Sequence, residues 1–171
     1  MNERRSKEAM SEAKWYKHTI RVRYQETDQM GVVYHTNYMN WFEWGRTELI
    51  RAMGMTYSEM ETRGLLLPVT HAELVFKQPA RYDESIGIFT RIVEYSGLKL
   101  HFESEIRRLS FGEGGPDSGA AEDSCEGPFD VPQGELLVSG GTRHVWVNRN
   151  WKPVRIDREA PDLFRLLQDR A

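Results

Sequence analysis

At 171 residues and a net charge of −3, the chain is long enough to bury a core and carries no charge excess that would draw it to nucleic acid. Its 39% apolar and 29% charged residues are those of a globular protein. A single cysteine, Cys125, excludes an intrachain disulfide, which fits a reducing compartment.

Met1 to Lys17 mixes charges of both signs around no apolar centre, so it lacks the pattern of a signal peptide. No apolar run approaches the roughly 20 residues needed to span a bilayer. Together these features predict a cytoplasmic protein without a membrane span. Residues 1–15 read as a frayed or helical tail ahead of one domain over 16–171.

Lys17 to Tyr24 alternates, with Ile20, Val22 and Tyr24 on one face and Arg21 and Arg23 on the other, as a half-buried strand does. The spacing of Tyr38, Trp41, Phe42, Gly45, Leu49, Ala52 and Met53 predicts a helix over 37–53, capped by Thr36 or Asn37 and stopped by Gly54. Met39, Trp44 and Ile50 widen its apolar surface beyond one stripe, so a sheet should wrap around it. Thr56 and Glu59 form a capping box for a short second helix ending at Gly64.

The remainder turns to β structure. Leu65 to Gln78 is an extended run stopped by Pro79, and Glu84 to Tyr95 and Leu98 to Leu109 make a hairpin around Ser96–Gly97. Residues 110–134 form an insertion rich in Gly and acid and without Lys or Arg, a composition that predicts a mobile loop. Glu135 to Val147 supplies the last strand. Pro161 opens a terminal helix docked by Leu163, Phe164, Leu166 and Leu167. The order of elements is that of an α+β domain, and the open edges of its sheet suggest pairing with a second copy.

Chemistry concentrates between the first strand and the long helix. Asp28 stands where a carboxylate at a strand end meets the unpaired N–H groups of a helix start, which favour negative charge. It suits a base or nucleophile, or an Asx turn. Glu26, two residues before it, is the second choice as base and shares its strand face only if the chain stays extended there. Gly31 provides close backbone approach or a positive φ, and Asn37 a contact to the site or a cap. His18, His71, His101, His144 and Cys125 show no metal-ligand spacing, so no metal is expected.

The segments Tyr24-Gln25-Glu26-Thr27-Asp28, Gly31-Val32-Val33-Tyr34-His35 and Asn37-Tyr38, with Gln78-Pro79-Ala80-Arg81-Tyr82-Asp83-Glu84, resemble the 4-hydroxybenzoyl-CoA thioesterase family of hotdog-fold proteins, most closely its bacterial acyl-CoA thioesterase branch. The similarity covers residues 18–109 and 135–156. It implies a five-stranded antiparallel sheet wrapped around one long helix, and dimers, usually paired into tetramers, with the active site at the dimer interface.

By this resemblance Asp28 is the catalytic carboxylate, and the His35 backbone N–H polarises the thioester carbonyl. Tyr24, Gly31, Val33, Tyr34, Asn37 and Tyr38 line the substrate. The implied activity is hydrolysis of acyl-CoA to carboxylate and free CoA. It needs no cofactor, because coenzyme A is part of the substrate. Alternatives are an acyl carrier protein thioesterase and a non-catalytic acyl-CoA-binding protein. Arg81, Arg91, Lys99, Arg107, Arg108, Arg143 and Arg149 are candidate contacts for the CoA phosphates, or simply a solvated face.

Overall fold

The axis of the structure is the 17-residue helix α1 (Thr36–Ala52), one residue offset from the expected span. The computed structural model describes residues 13–110 and 125–170. In chain order the other elements are β1 (Trp15–Arg21), α2 (Tyr57–Thr62), β2 (Val69–Phe76), β3 (Ser85–Tyr95), β4 (Lys99–Arg108), β5 (Cys125–Phe129), β6 (Glu135–Val145), α3 (Ile156–Glu159) and α4 (Pro161–Arg170). The strands form one antiparallel sheet in the order β2-β6-β4-β3-β1-β5.

This is the expected α+β arrangement of a sheet around a long helix, with six strands rather than five. The additional strand, β5, comes from within the stretch read as a mobile loop. Residues 111–124 of that stretch lie outside the described residues. β5 is held by its neighbour: Lys17 Nζ lies 2.9 Å from the Glu126 carboxylate, and Trp15 pairs with Phe129 across the strands. Phe129 also packs edge-on to Phe89 at 6.2 Å, closing a small cluster with Trp15 and Leu109 on the outer face of the sheet. Trp15 is therefore part of the buried structure and not of a tail; residues 1–12 lie outside the described residues.

The inner face carries the main core. Tyr38, Trp41 and Phe42 of α1 pack on Ile86 and Ile88 of β3, Ile106 of β4, and Leu137 and Val138 of β6. Gly45 allows this approach: a Cβ there would lie 2.5 Å from Thr90 Oγ1 and 2.6 Å from Ile88 Cγ2. Beyond it, Leu49, Ile50 and Met53 meet Met60, Trp146, Leu163 and Leu167, so α4 docks through an i, i+4 pair, with Phe164 and Leu166 at its margin. The capping box at α2 forms as its spacing predicts, with the Glu59 N–H donating to Thr56 Oγ1 at 3.2 Å and the Thr56 N–H to Glu59 Oε2 at 2.7 Å. Among the described residues no helix is long and apolar enough to cross a membrane.

One buried titratable group couples this core to pH. His144 is 2% exposed, with Nε2 2.8 Å from Thr142 Oγ1 and Nδ1 3.1 Å from the Leu67 carbonyl. Burial pushes its imidazole down to about 4, against the Leu67 hydrogen bond and with help from the Arg46 charge. The unfolded chain titrates near the ordinary value of about 6.5, so between those pH values it binds a proton that the folded chain refuses. The His144 contribution is complete above that ordinary value and is lost as pH falls toward 4. In urea titrations between pH 7 and pH 4, His144→Gln should flatten the acid loss of stability by up to about 3 kcal/mol.

Candidate active site

The site is built where β1 gives way to α1. After Arg21 the chain is still pinned to its neighbour, since the Val22 N–H donates to Glu84 O at 3.0 Å and the Asp83 N–H to Val22 O at 3.0 Å. Tyr24–Glu26 then winds into a 3-10 turn, and this break in the alternation throws Tyr24 outward against Tyr82 instead of inward. A tight reversal follows: the Asp28 N–H donates to Val32 O at 2.9 Å, the Gly31 N–H to Asp28 O at 3.0 Å, and Thr27 bridges Val33. Gly31 sits at φ +74 with nothing within 4 Å of where a Cβ would be. The left-handed turn, and no crowding in this chain, accounts for glycine there.

Glu26 ties this reversal to the helix. Its backbone carbonyl accepts from the Tyr34 N–H at 2.9 Å and from Asn37 Nδ2 at 2.8 Å. Its buried carboxylate accepts from Trp41 Nε1 at 3.0 Å and from the Arg23 N–H at 2.7 Å. Both oxygens are thus engaged, which makes Glu26 a strut and a poor base. A sequence signal for this exists in hindsight: an indole N–H on the buried face of α1 needs an acceptor, and Glu26 is the nearby acid.

Asp28 is half-buried, and its Oδ1 accepts from the Met30 N–H at 2.8 Å, an Asx turn. That is its carboxylate's one hydrogen bond among the described residues, so the second oxygen is open to other partners. His35 occupies the position before α1 at φ −56 and ψ −29, with an exposed ring 4.5 Å from Tyr34. Among the described residues neither the His35 nor the Thr36 N–H has an acceptor, whereas the Asn37 N–H donates to Tyr34 O at 2.9 Å. The helix therefore opens on two aligned, unspent donors, the arrangement that stabilises an oxyanion.

The remaining candidates divide by burial. Val33 is in the core, its N–H donating to Ala80 O at 2.8 Å. Tyr38 is also buried, with its hydroxyl accepting from the Ala80 N–H at 2.8 Å. Burial, and to a lesser extent the charges of Glu84 and Asp28, raise the Tyr38 phenol above its ordinary pKa, against the Ala80 hydrogen bond and the Arg108 charge. Asp28 is thus close enough to the first turn of α1 to be felt there. Tyr24 and Tyr34 are exposed, and Asn37 is half-buried.

A cavity of about 500 Å³ opens beside the 3-10 turn, lined by Arg21, Arg23, Tyr24, Glu26, Trp44 and Tyr82 among others. Trp44 packs against the inner core, as its helical spacing predicts, and also lines this groove, its ring tilted against His18 at 4.9 Å. Of the candidate phosphate contacts, Arg91, Arg107 and Arg108 are engaged with Glu103, Glu105 and Glu84 at 2.6, 2.6 and 3.0 Å. Arg81, Lys99, Arg143 and Arg149 make no ion pair among the described residues. Burial pushes the Cys125 thiol up to about 12, so it is no thiolate nucleophile at neutral pH. Among the described residues no three His, Cys, Asp or Glu side chains group as metal ligands.

The strut predicts a mutational cost. Glu26→Ala strands the Trp41 indole N–H and the Arg23 N–H, and should lower stability by about 2–4 kcal/mol in urea unfolding. Glu26→Gln retains one acceptor and should recover part of that loss.

The profile of the thioesterase-like superfamily matches residues 22–160. YneP of Bacillus subtilis, a protein provisionally assigned as an acyl-CoA thioesterase, is 35% identical over 147 residues, which are 85% of this chain and 90% of that protein. The Haemophilus influenzae acyl-CoA thioesterase YbgC is 32% identical over 90 residues, 52% of this chain and 66% of its own. Among solved structures, a DHNA-CoA thioesterase from Staphylococcus aureus superposes with a TM-score of 0.73 at 31% identity, covering 91% of this chain and 89% of that one. A helix-wrapping antiparallel sheet, an acid-bearing turn at the helix start and these likenesses agree: the chain belongs to the thioesterase-like superfamily and has its hotdog fold.

Proposed function

We propose that this thioester hydrolase cleaves an acyl-CoA to a carboxylate and free CoA at the turn between Asp28 and His35. The observation that supports it most is the pair of N–H groups on His35 and Thr36 that have no acceptor among the described residues. As the thioester carbonyl is attacked, negative charge grows on its oxygen, and donors already aligned stabilise it without reorganising. One such donor is typically worth about 3 kcal/mol of barrier.

Asp28 supplies the second component. Either its open oxygen takes a proton from water as hydroxide adds to the carbonyl carbon, or the carboxylate adds directly and forms a mixed anhydride that water then cleaves. In both routes the tetrahedral intermediate collapses by breaking the carbon–sulfur bond, and the CoA thiolate leaves and is protonated. A single turnover in ¹⁸O-water detects an anhydride opened at the Asp28 carboxyl carbon, which alone places label in the Asp28 side chain. Trapping the acyl-enzyme with hydroxylamine detects an anhydride opened at the acyl carbon, where the label goes to the product as in the water route.

Asp28→Asn is an informative variant because the amide oxygen can still accept from the Met30 N–H and keep the Asx turn. It should lower kcat by about 10²- to 10⁴-fold without changing folding or assembly. A near-normal rate would remove Asp28 from the mechanism. Assays with acyl-CoA esters from acetyl to palmitoyl, with benzoyl-CoA, and with acyl carrier protein thioesters identify the acyl group and the carrier.

The resemblance also supports a homo-oligomer, with two copies joined along an edge strand and two such dimers forming a tetramer. β2 is suited to the first contact: its outer edge is unpaired among the described residues and it exposes Val69, Val75 and Phe76. Light scattering should report a multiple of the 20.0 kDa chain, and a monomer would overturn this assembly.

A further inference from the structure

β4 ends on a residue that its alternation does not call for. Leu100, Phe102, Ser104 and Ile106 form its buried inner row, and the next member of that row is Arg108. Its guanidinium meets oxygens from three directions. Nη2 donates to the Pro79 carbonyl at 2.9 Å, Nε lies 3.0 Å from Glu84 Oε1, and Nη1 meets the Glu135 carboxylate. The second oxygen of Glu84 accepts from the Arg81 N–H at 2.9 Å. A planar fork of fixed donors thus braces the loop 79–84 near both of its ends, which an ammonium on a flexible stem would not reproduce.

Between the braced residues lies Ala80, which is fully buried. Both of its backbone groups reach across to the site. Its carbonyl accepts from the Val33 N–H at 2.8 Å, and its N–H donates to the Tyr38 hydroxyl at 2.8 Å. Val33 stands two residues before His35, and Tyr38 two residues after Thr36. The unspent His35 and Thr36 N–H groups are therefore suspended between two contacts that share one alanine. A methyl side chain cannot fix that alanine by itself, so its placement falls to Pro79, Arg81 and Glu84, and through them to Arg108.

We propose that Arg108 is a positioning residue for thioester cleavage: through Pro79, Glu84 and Ala80 it sets where the His35 and Thr36 N–H groups point. The assignment rests on the thioesterase reading. It gives Arg108 no contact with the reacting atoms and none with the CoA phosphates. Its leverage comes from geometry, since a misplacement of about 1 Å can cost about 10²-fold in rate.

Glu84→Gln is the mild test, because its amide oxygen still accepts from the Arg81 N–H while the ion pair with Arg108 is lost. Arg108→Met removes the whole fork, and Arg108→Lys keeps the charge but reaches fewer of the oxygens. In protein shown to be folded by urea titration, kcat for acyl-CoA should fall about tenfold in Glu84→Gln and about 10²-fold in Arg108→Met, with Arg108→Lys between them and KM unchanged in all three. A normal kcat accompanied only by lost stability makes Arg108 a structural residue and overturns the proposal. So does a rise in KM for acyl-CoA that acyl-pantetheine, which lacks the nucleotide, does not share, because that result puts Arg108 on the phosphates.

Amide ¹H–¹⁵N spectra give a readout without turnover. The Val33, His35 and Thr36 signals should move in Glu84→Gln, while those of Thr56 and Glu59 in the capping box of α2 stay in place. Movement at the helix start in a protein that hydrolyses no ester would uphold the brace and leave the thioesterase reading as the part that failed. Unmoved His35 and Thr36 signals overturn the brace whatever the protein hydrolyses.

Discussion

The buried carboxylate of Glu26 is the constraint on which the site depends. A charged group in a protein interior is costly unless its hydrogen bonds are met, and here both oxygens and the backbone carbonyl are used. The donors come from the turn and from α1, so satisfying one residue fixes the helix start relative to the strand end. Asp28 and His35 make few contacts of their own. They are positioned because residues on either side of them are anchored: Glu26 before, Val33, Tyr34 and Asn37 after. A carboxylate with an open oxygen and unspent N–H groups can be left unpaired only if neighbouring contacts hold the loop.

The sheet supplies the second constraint. Gly45 allows α1 to approach β3 closely, and the polar row of Thr90, Ser104, Thr142 and His144 crosses beneath it. These groups pair with one another, Thr90 with Ser104 at 3.3 Å and Thr142 with His144 at 2.8 Å, so the polar stripe is largely self-satisfied. The helix is then free to present its N-terminal end outward while its C-terminal half is covered by Trp146, α3 and α4.

Much of this was legible in the sequence because the relevant signals are local. The alternation of Glu84 to Tyr95 anticipates β3 to within one residue, and Thr56 with Glu59 announces α2 directly. The elements that were misread depend on distant partners. The composition around Gly127 and Pro128 argues against a strand, and β5 exists because Lys17 and Trp15 receive Glu126 and Phe129. Trp15 follows a charged run and reads as tail for the same reason in reverse. In the site, the resemblance drew attention to Asp28 and His35, while the part played by Glu26 is signalled only by the Trp41 indole: alternation extended through the turn puts Tyr24 and Glu26 on one inner face, and the 3-10 turn keeps Glu26 there and throws Tyr24 out.

β5 has a consequence for how far the sheet can extend. Lying outside β1, it replaces the seven-residue border of that strand with one of five residues, so the margins among the described residues are β2 and β5. β5 steps out of register with β1 between Trp15 and Lys17, and Pro128 within it has no N–H to offer a neighbour. The segment that looked like an ornament thus blunts one border and leaves β2, eight residues long, as the better template for a further strand.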